Sequence, residues 1–233
     1  MRSMSTSADL ELLDAWRSGD SAAGEALFES HFEAVYRFFC NKLGHDVDDM
    51  VQQTFIGCLE ARERLRGDSS FRTFLFAVAR KQLLRYREGR YQGKGGFQFD
   101  ESRVADLDAS PTQLVVDHEE QGLLLRALRR LPLDLQIAVE LFYWENMRSV
   151  DLAVVLEIPH GTVRSRLRRA RDLLREEVER LATDPSLAES TLGDFERWMT
   201  SVQRKAGDAG ETPRRAAAEG EAKAPTSVDK HDA

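Results

Sequence analysis

Residues 162–171, TVRSRLRRAR, hold five arginines and no acid, in a chain of 233 residues whose formal net charge is -7. Guanidinium groups at that density pair with phosphate oxygens and grip guanine edges through two parallel bonds, while neighbouring Thr and Ser hydroxyls bond backbone or base edges. Spacing separates this chemistry from packing. Val163, Leu167, Ala170, Leu174, Val178 and Leu181 recur at helical intervals as one apolar stripe, and Arg164, Arg168, Arg171 and Arg175 form a second stripe beside it. A row of arginines on a helix is ordinarily a solvated face, and DLLREEVER fits that reading by pairing Glu with Arg internally. Residues 162–171 have no acid to pair with, which points them toward a polyanion.

The elements that would position this stripe are legible around it. RSVDLAVVLEI followed by PHGTVRSRLRRARDLLREEVERL reads as two helices with a tight break, a helix-turn-helix, with Pro159 in the first turn of the second helix. Upstream, HEEQGLLLRALRRL and LDLQIAVELFYWEN give two more helices, the latter started by Pro132. The first half of the chain reads as four helices. LELLDAWRSGD stops near Gly19, SAAGEALFESHFEAVYRFFCNKLG carries Leu27, Phe28, Phe32, Val35 and Phe39 inward and ends at Gly44, and HDVDDMVQQTFIGCLEARERLRG turns Val47, Val51, Phe55 and Cys58 inward and ends at Gly67. Asp68, Ser69 and Ser70 mark the start of the fourth, FRTFLFAVARKQLLRYREGR. Helix-forming runs outweigh strand-like alternation throughout, so the expected fold class is all-α: two small helical domains joined by a flexible linker. Boundaries fall at 8–89, 90–117 for the tether, 118–182, and 183–233 for a C-terminal extension.

Charge is partitioned along the chain. Residues 62–96 carry 10 basic and 3 acidic side chains, residues 162–183 carry 7 and 4, and residues 97–120 between them carry 1 and 7. Two basic segments separated by an acidic one suggest two surfaces meeting polyanions. Other chemistry is unsupported. Cys40 and Cys58 sit in apolar helical stretches and read as small buried hydrophobes; His31, His45, His118, His160 and His231 are scattered without metal-ligand spacing. No Gly-rich phosphate loop and no nucleophile with its base stands out, so the chain is expected not to be an enzyme and to use no cofactor. No apolar run would span a bilayer, and MRSMSTSADLELL lacks the apolar core of a signal peptide, which implies a cytoplasmic protein without membrane insertion.

DDMVQQTFIGCLEARERLRGDSSFRTFLFAVAR in the first half, followed by LRRLPLDLQIAVELFYWENMRSVDLAVVLEIPHGTVRSRLRRAR in the second, resembles the extracytoplasmic-function (ECF) alternative sigma factors of bacterial RNA polymerase over about residues 9–181. The resemblance implies a transcription initiation factor that binds core polymerase, directs it to promoters and promotes strand opening. It implies polymerase binding at Asp48, Asp49, Gln52, Gln53 and Phe55, against the clamp helices of the largest subunit, with the flap region as a further contact. It assigns Asp68, Ser69, Ser70, Phe71, Arg72, Phe74, Arg80, Lys81 and Arg85 to reading and melting the minus-ten element, where aromatic rings with cationic neighbours replace base stacking on the single strand. At least one of Phe71, Phe74 and Phe76 is expected to be core instead. Thr162, Arg164, Ser165, Arg166, Arg168 and Arg169 would read the minus-thirty-five element in the duplex. An anti-sigma factor is a further candidate partner.

The sequence departs from the family pattern in places. The family commonly has Trp where Phe74 stands, so stacking there would be weaker or promoter preference altered. Glu157 occupies the break where the family often has glycine; a non-glycine in a left-handed turn costs about 1 kcal/mol, so a differently shaped turn is expected. The acidic linker, with Asp100, Glu101, Asp106 and Asp108, matches in placement the family segment that threads toward the active-site and RNA-exit path. Beyond residue 181, PSLAESTLGDFERWMTSVQ predicts a short amphipathic helix over 186–203, capped by Ser186 with Glu189, whose Ala188, Leu192, Phe195, Met199 and Val202 would dock on a domain or a partner. The competing class is a plain DNA-binding regulator with an N-terminal interaction module. It shares the second half but does not require an aromatic, basic fourth helix in the first.

Overall fold

The computed structural model describes residues 5–62, 70–91, 118–195 and 197. Four helices form the first domain: α1 (Ser5–Arg17), α2 (Ser21–Cys40), α3 (Val47–Glu60) and α4 (Phe71–Tyr91). Gly19 breaks the chain after α1 with a φ of +104°, a conformation that favours glycine, and the Asp20 carboxylate then accepts from the Ala22 and Ala23 amides to start α2. A Cβ on Gly24 would lie 2.4 Å from Trp16 Cδ1, so α1 and α2 approach this closely only because no side chain intervenes. Leu27, Val35 and Phe39 are buried as expected, each contributing about 1.5–3 kcal/mol by leaving water.

Two expectations about this domain are corrected. Gly44 does not terminate α2; the helix ends at Cys40, because Asn41, Lys42 and Leu43 turn into the core and the Lys42 ammonium folds back to donate to Phe38 O at 2.8 Å. The inner face of α3 is Met50, Val51, Thr54 and Cys58, with Val47 and Phe55 only half-buried. Thr54 is admitted because its hydroxyl donates to Met50 O at 2.8 Å, while Phe55 packs at the rim against Phe28, ring centroids 4.9 Å apart. Cys40 and Cys58 are buried thiols, and burial pushes them up to about 11 and about 12.

The second domain comprises α5 (Glu119–Leu128), α6 (Leu133–Tyr143), α7 (Ser149–Leu156), α8 (His160–Leu181) and α9 (Pro185–Gly193). Every residue of α6 from Leu133 to Leu141 is buried, including Asp134, Gln136 and Glu140. Between α7 and α8, Glu157 takes φ 55° and ψ 42°, so the break keeps its left-handed shape with a glutamate in it; Ile158 N–H, donating to Ala153 O at 3.0 Å, fixes that shape. Pro159 caps α8 from just outside the helix rather than within its first turn. Asp184, not Ser186, caps α9, accepting from Leu187 N–H at 3.0 Å; α9 ends at Gly193, Phe195 and Arg197 are helical again, and residues 198–203 of the expected helix lie outside the described residues. α9 docks Leu187, Ala188 and Thr191 against α5 and α8, and Phe195 stands edge-on to Tyr143 at 5.3 Å.

The domains are not held apart. One apolar cluster runs from Leu27, Phe39, Phe76 and Leu83 of the first domain into Leu133, Ile137, Leu152 and Leu156 of the second, with α4 lying on α7. A second cluster, including Leu124, Leu128, Leu174, Val178 and Leu187, holds α5, α8 and α9 together. Gly67, Asp68, Ser69, the tether from 92 to 117 with its acids, and Trp198, Met199, Val202 and the tail lie outside the described residues.

Candidate nucleic-acid and polymerase interfaces

On α8 the two stripes separate as the spacing requires. Val163, Leu167, Ala170, Leu174 and Val178 are buried, which turns Arg164, Arg168, Arg169, Arg171 and Arg175 to solvent. Thr162 is exposed in the first turn, where free amides favour an anion, and Ser165 Oγ donates to Thr162 O at 2.8 Å. Ser149 Oγ lies 3.1 Å from His160 Nε2, tying the start of α7 to the start of α8. Arg168 stands 4.0 Å from Asp172, an exposed pair that screens easily. Arg166 differs from the others: its Nη1 donates to Asp134 Oδ2 at 2.9 Å, and the side chain is only 22% exposed.

On α4 the sequence-assigned residues divide in the same way. Lys81 and Arg85 are exposed and Phe74 is half-buried. Ser70 caps the helix, accepting from Thr73 N–H at 3.2 Å. Phe71 presents no face to a ligand; it is 1% exposed, edge-on to Trp16 and packed on Phe28 and His31, because it is the first inward position of α4 beneath α1 and α2. Phe76 is core as well. Arg72 is half-buried and donates to Glu145, while Arg80 is buried and donates to Asp134 Oδ1 through Nη2 at 3.1 Å.

On α3, Asp48, Asp49, Gln52 and Gln53 are exposed along one side, with Gln53 O accepting from Gln82 Nε2 of α4 at 3.2 Å. Ile56 and Leu59, 37% and 51% exposed, continue that side by helical spacing. Sequence reasoning missed both; the signal was their place at i+3 and i+7 from Gln53 and Gln52, outside the inward stripe.

Residues 27–91 match the family model Sigma-70 region 2, and residues 121–174 match Sigma-70, region 4; together they cover just over half of the chain. The chain is an ECF sigma factor. It is similar to the ECF RNA polymerase sigma-E factor of Salmonella typhimurium (strain 14028s / SGSC 2262), 28% identical over 144 residues, 58% of this chain and 75% of the relative. It is also similar to that of Haemophilus influenzae, 26% identical over 182 residues, 74% and 96% of the two chains. Its fold resembles that of CnrH in complex with the cytosolic domain of CnrY, with a TM-score of 0.53 at 22% identity over 75% of this chain and 99% of the other. As a sigma factor it binds RNA polymerase and promoter DNA and directs transcription initiation. Among the described residues no helix is long and apolar enough to cross a membrane.

Sequence reading of this sigma factor missed the acids opposite the cations. Glu145 accepts from Arg37 Nη2 at 2.8 Å as well as from Arg72. Glu140 receives the Lys42 ammonium, the Asn41 amide, and Gln136 Nε2 at 2.8 Å, and Arg129 Nε donates to Asn41 Oδ1 at 3.3 Å. Burial holds the Lys42 ammonium below its usual range, against the pull of Glu140, and raises the Asp134 carboxyl against the pull of Arg80 and Arg166. The available signal was LDLQIAVELFYWE, a helix apolar on every side yet carrying Asp134 and Glu140, which must find partners when buried.

Proposed function

We propose that this sigma factor divides promoter recognition between the exposed faces of α8, α4 and α3. Thr162, Arg164, Ser165, Arg168 and Arg169 on α8 read the minus-thirty-five element in the major groove, with Arg166 joining once Asp134 releases it. On α4, Phe74, Lys81 and Arg85, with Arg72, Arg80 and the segment holding Asp68, Ser69 and Ser70, take the melted minus-ten strand. The α3 face of Asp48, Asp49, Gln52 and Gln53, extended by Ile56 and Leu59 and flanked by Phe55, docks on the clamp helices of core polymerase. The second domain meets the flap region. Catalysis belongs to the polymerase, and the protein works in the cytoplasm, where that enzyme is. An anti-sigma factor is a partner this reading admits.

The observation that carries this reading is the exposed arginine face at the start of α8, where residues 162–171 include no acid, presented by a helix-turn-helix whose Val163 and Leu167 lock it to the core. The test is transcription of a genomic DNA library by bacterial core polymerase with and without the full chain, followed by sequencing of RNA 5′ ends. New starts sharing two upstream motifs are expected. An unchanged set of starts, with duplex DNA still bound, overturns the division and favours the plain DNA-binding regulator.

A further inference from the structure

The two helices of the helix-turn-helix meet at their first residues as well as through their apolar faces. Ser149 opens α7, His160 opens α8, and Ser149 Oγ lies 3.1 Å from His160 Nε2. His160 is exposed and Ser149 half-buried, so the imidazole could bond water instead, and burial does not account for the contact. In a helix-turn-helix the first residues of the second helix reach the bases while the first helix crosses the DNA backbone. The Ser149–His160 bond joins those two positions, two residues before the proposed reader Thr162. Among the described residues Nδ1 of the ring has no hydrogen-bond partner. The charge around it is cationic or already paired. The first turn of α8 contains no acid, and Arg164 stands one turn further on. On α7, Arg148 beside Ser149 is held by Asp151 at 2.8 Å, and in the break Glu157 has its carboxylate 3.6 Å from Arg80.

We infer that His160 is a promoter-phosphate contact whose grip tightens when the imidazole takes up a proton, and that Ser149 is the residue that positions it. The inference rests on the reading of α8 as the helix that enters the duplex. Nδ1–H donates to a phosphate oxygen while Nε2 stays on Ser149. A serine hydroxyl both donates and accepts, so the bond survives either charge state: it donates to a neutral Nε2 and accepts from Nε2–H once the ring is charged. In the free protein the positive end of α8 and Arg164 oppose the added charge, whereas a phosphate beside the ring favours it. Binding DNA and taking up a proton are therefore linked, each favouring the other by the same factor. A unit charge about 4 Å from a phosphate in water is worth about a fivefold gain in affinity. Phosphate contacts carry no sequence information, so the gain belongs to any duplex.

The test measures binding of the full chain to a random-sequence duplex by fluorescence anisotropy at pH 8 and pH 6, an interval in which imidazole changes charge. The strands end in hydroxyls, so that no terminal phosphate titrates. Wild type is expected to bind about fivefold more tightly at pH 6, with a slope of log affinity against log salt steeper by about 0.9. His160→Gln keeps an amide for Ser149 but no charge, and should give the pH 8 affinity at both values. His160→Lys carries its charge throughout and should bind tightly at both. Ser149→Ala should match wild type at pH 8 and show a smaller gain at pH 6, whereas a merely structural bond would weaken binding equally at both. A wild type without the gain overturns the proton linkage, and a gain that persists in His160→Gln overturns the role of His160. Arg168→Ala separates these failures from that of the reading beneath them. If it weakens binding while His160→Gln matches wild type at pH 6, α8 still reads DNA and only His160 is excluded; if neither change alters affinity, α8 is not the DNA helix.

Discussion

Glu140→Gln probes the deepest contact between the two domains. Glu140 is 1% exposed and Lys42 is wholly buried; besides Glu140, the ammonium donates to Phe38 O. Neutralising the carboxylate leaves a buried charge with amide and carbonyl oxygens only, and breaking a buried pair from one side costs about 3–5 kcal/mol. At about 2–4 °C per kcal/mol for a chain of this size, the lower bound of that cost lowers the melting temperature by roughly 6–12 °C. Lys42→Met should cost less, because Glu140 keeps the Asn41 and Gln136 amides. Combining Lys42→Met with Glu140→Gln removes both charges and should recover most of the loss, giving a coupling of about 2 kcal/mol or more in a double-mutant cycle. Denaturant unfolding of the four proteins measures it. If Glu140→Gln cost under about 1 kcal/mol, or the two changes were additive, Lys42 would be meeting water, and the closed packing of the domains would be refuted.

Further outcomes follow from single residues. Glu157→Gly relieves a left-handed residue at φ 55°, and its exposed carboxylate contributes little through Arg80, so thermal stability should rise by up to about 1 kcal/mol. Arg168→Ala should weaken promoter binding and reduce the slope of log affinity against log salt by about one, read by fluorescence anisotropy at several salt concentrations. His31 is buried with Asp9 3.0 Å from its ring, and burial lowers its pKa below 6.5. The folded state therefore binds this proton less well than the unfolded chain, so its stability is full above pH 6.5 and is lost as pH falls toward the folded pKa; melting curves of His31→Asn should lack that loss. Leu187→Asp places a charge in the α9 contact and should lower the melting temperature, whereas an idle extension would leave it unchanged.

Periodicity made much of this structure readable before any coordinates. The α8 stripes emerge as spaced because burial and charge alternate at 3.6 residues in a helix that packs on one side only. The misreadings arise where a polar group satisfies itself locally or a glycine is taken at face value. Thr54 enters the core by bonding its own helix, so a pattern of apolar letters rotates the α3 face toward Phe55. Gly44 sits beyond a helix that had already turned inward through Lys42. On the candidate site, α8's arginines were separable by spacing, but Arg80 and Arg166 were not, because their partner Asp134 lies 54 and 32 residues away and belongs to a helix with no face of its own.

The contact between the two domains combines hydrocarbon with buried charge. Had α4 and α7 met through hydrocarbon alone, separation would have exposed apolar surface with nothing to offset it, at about 25 cal/mol per Å². Ion pairs change that balance, since each charge taken from water costs several kcal/mol and the pairing returns roughly that amount. Glu145 with Arg37 and Arg72, and Asp134 with Arg80 and Arg166, therefore fix the register of the closed form while adding little to its net stability. The carboxylates of α6 and of the turn after it thus decide which arginines of α2, α4 and α8 face the second domain and which face solvent.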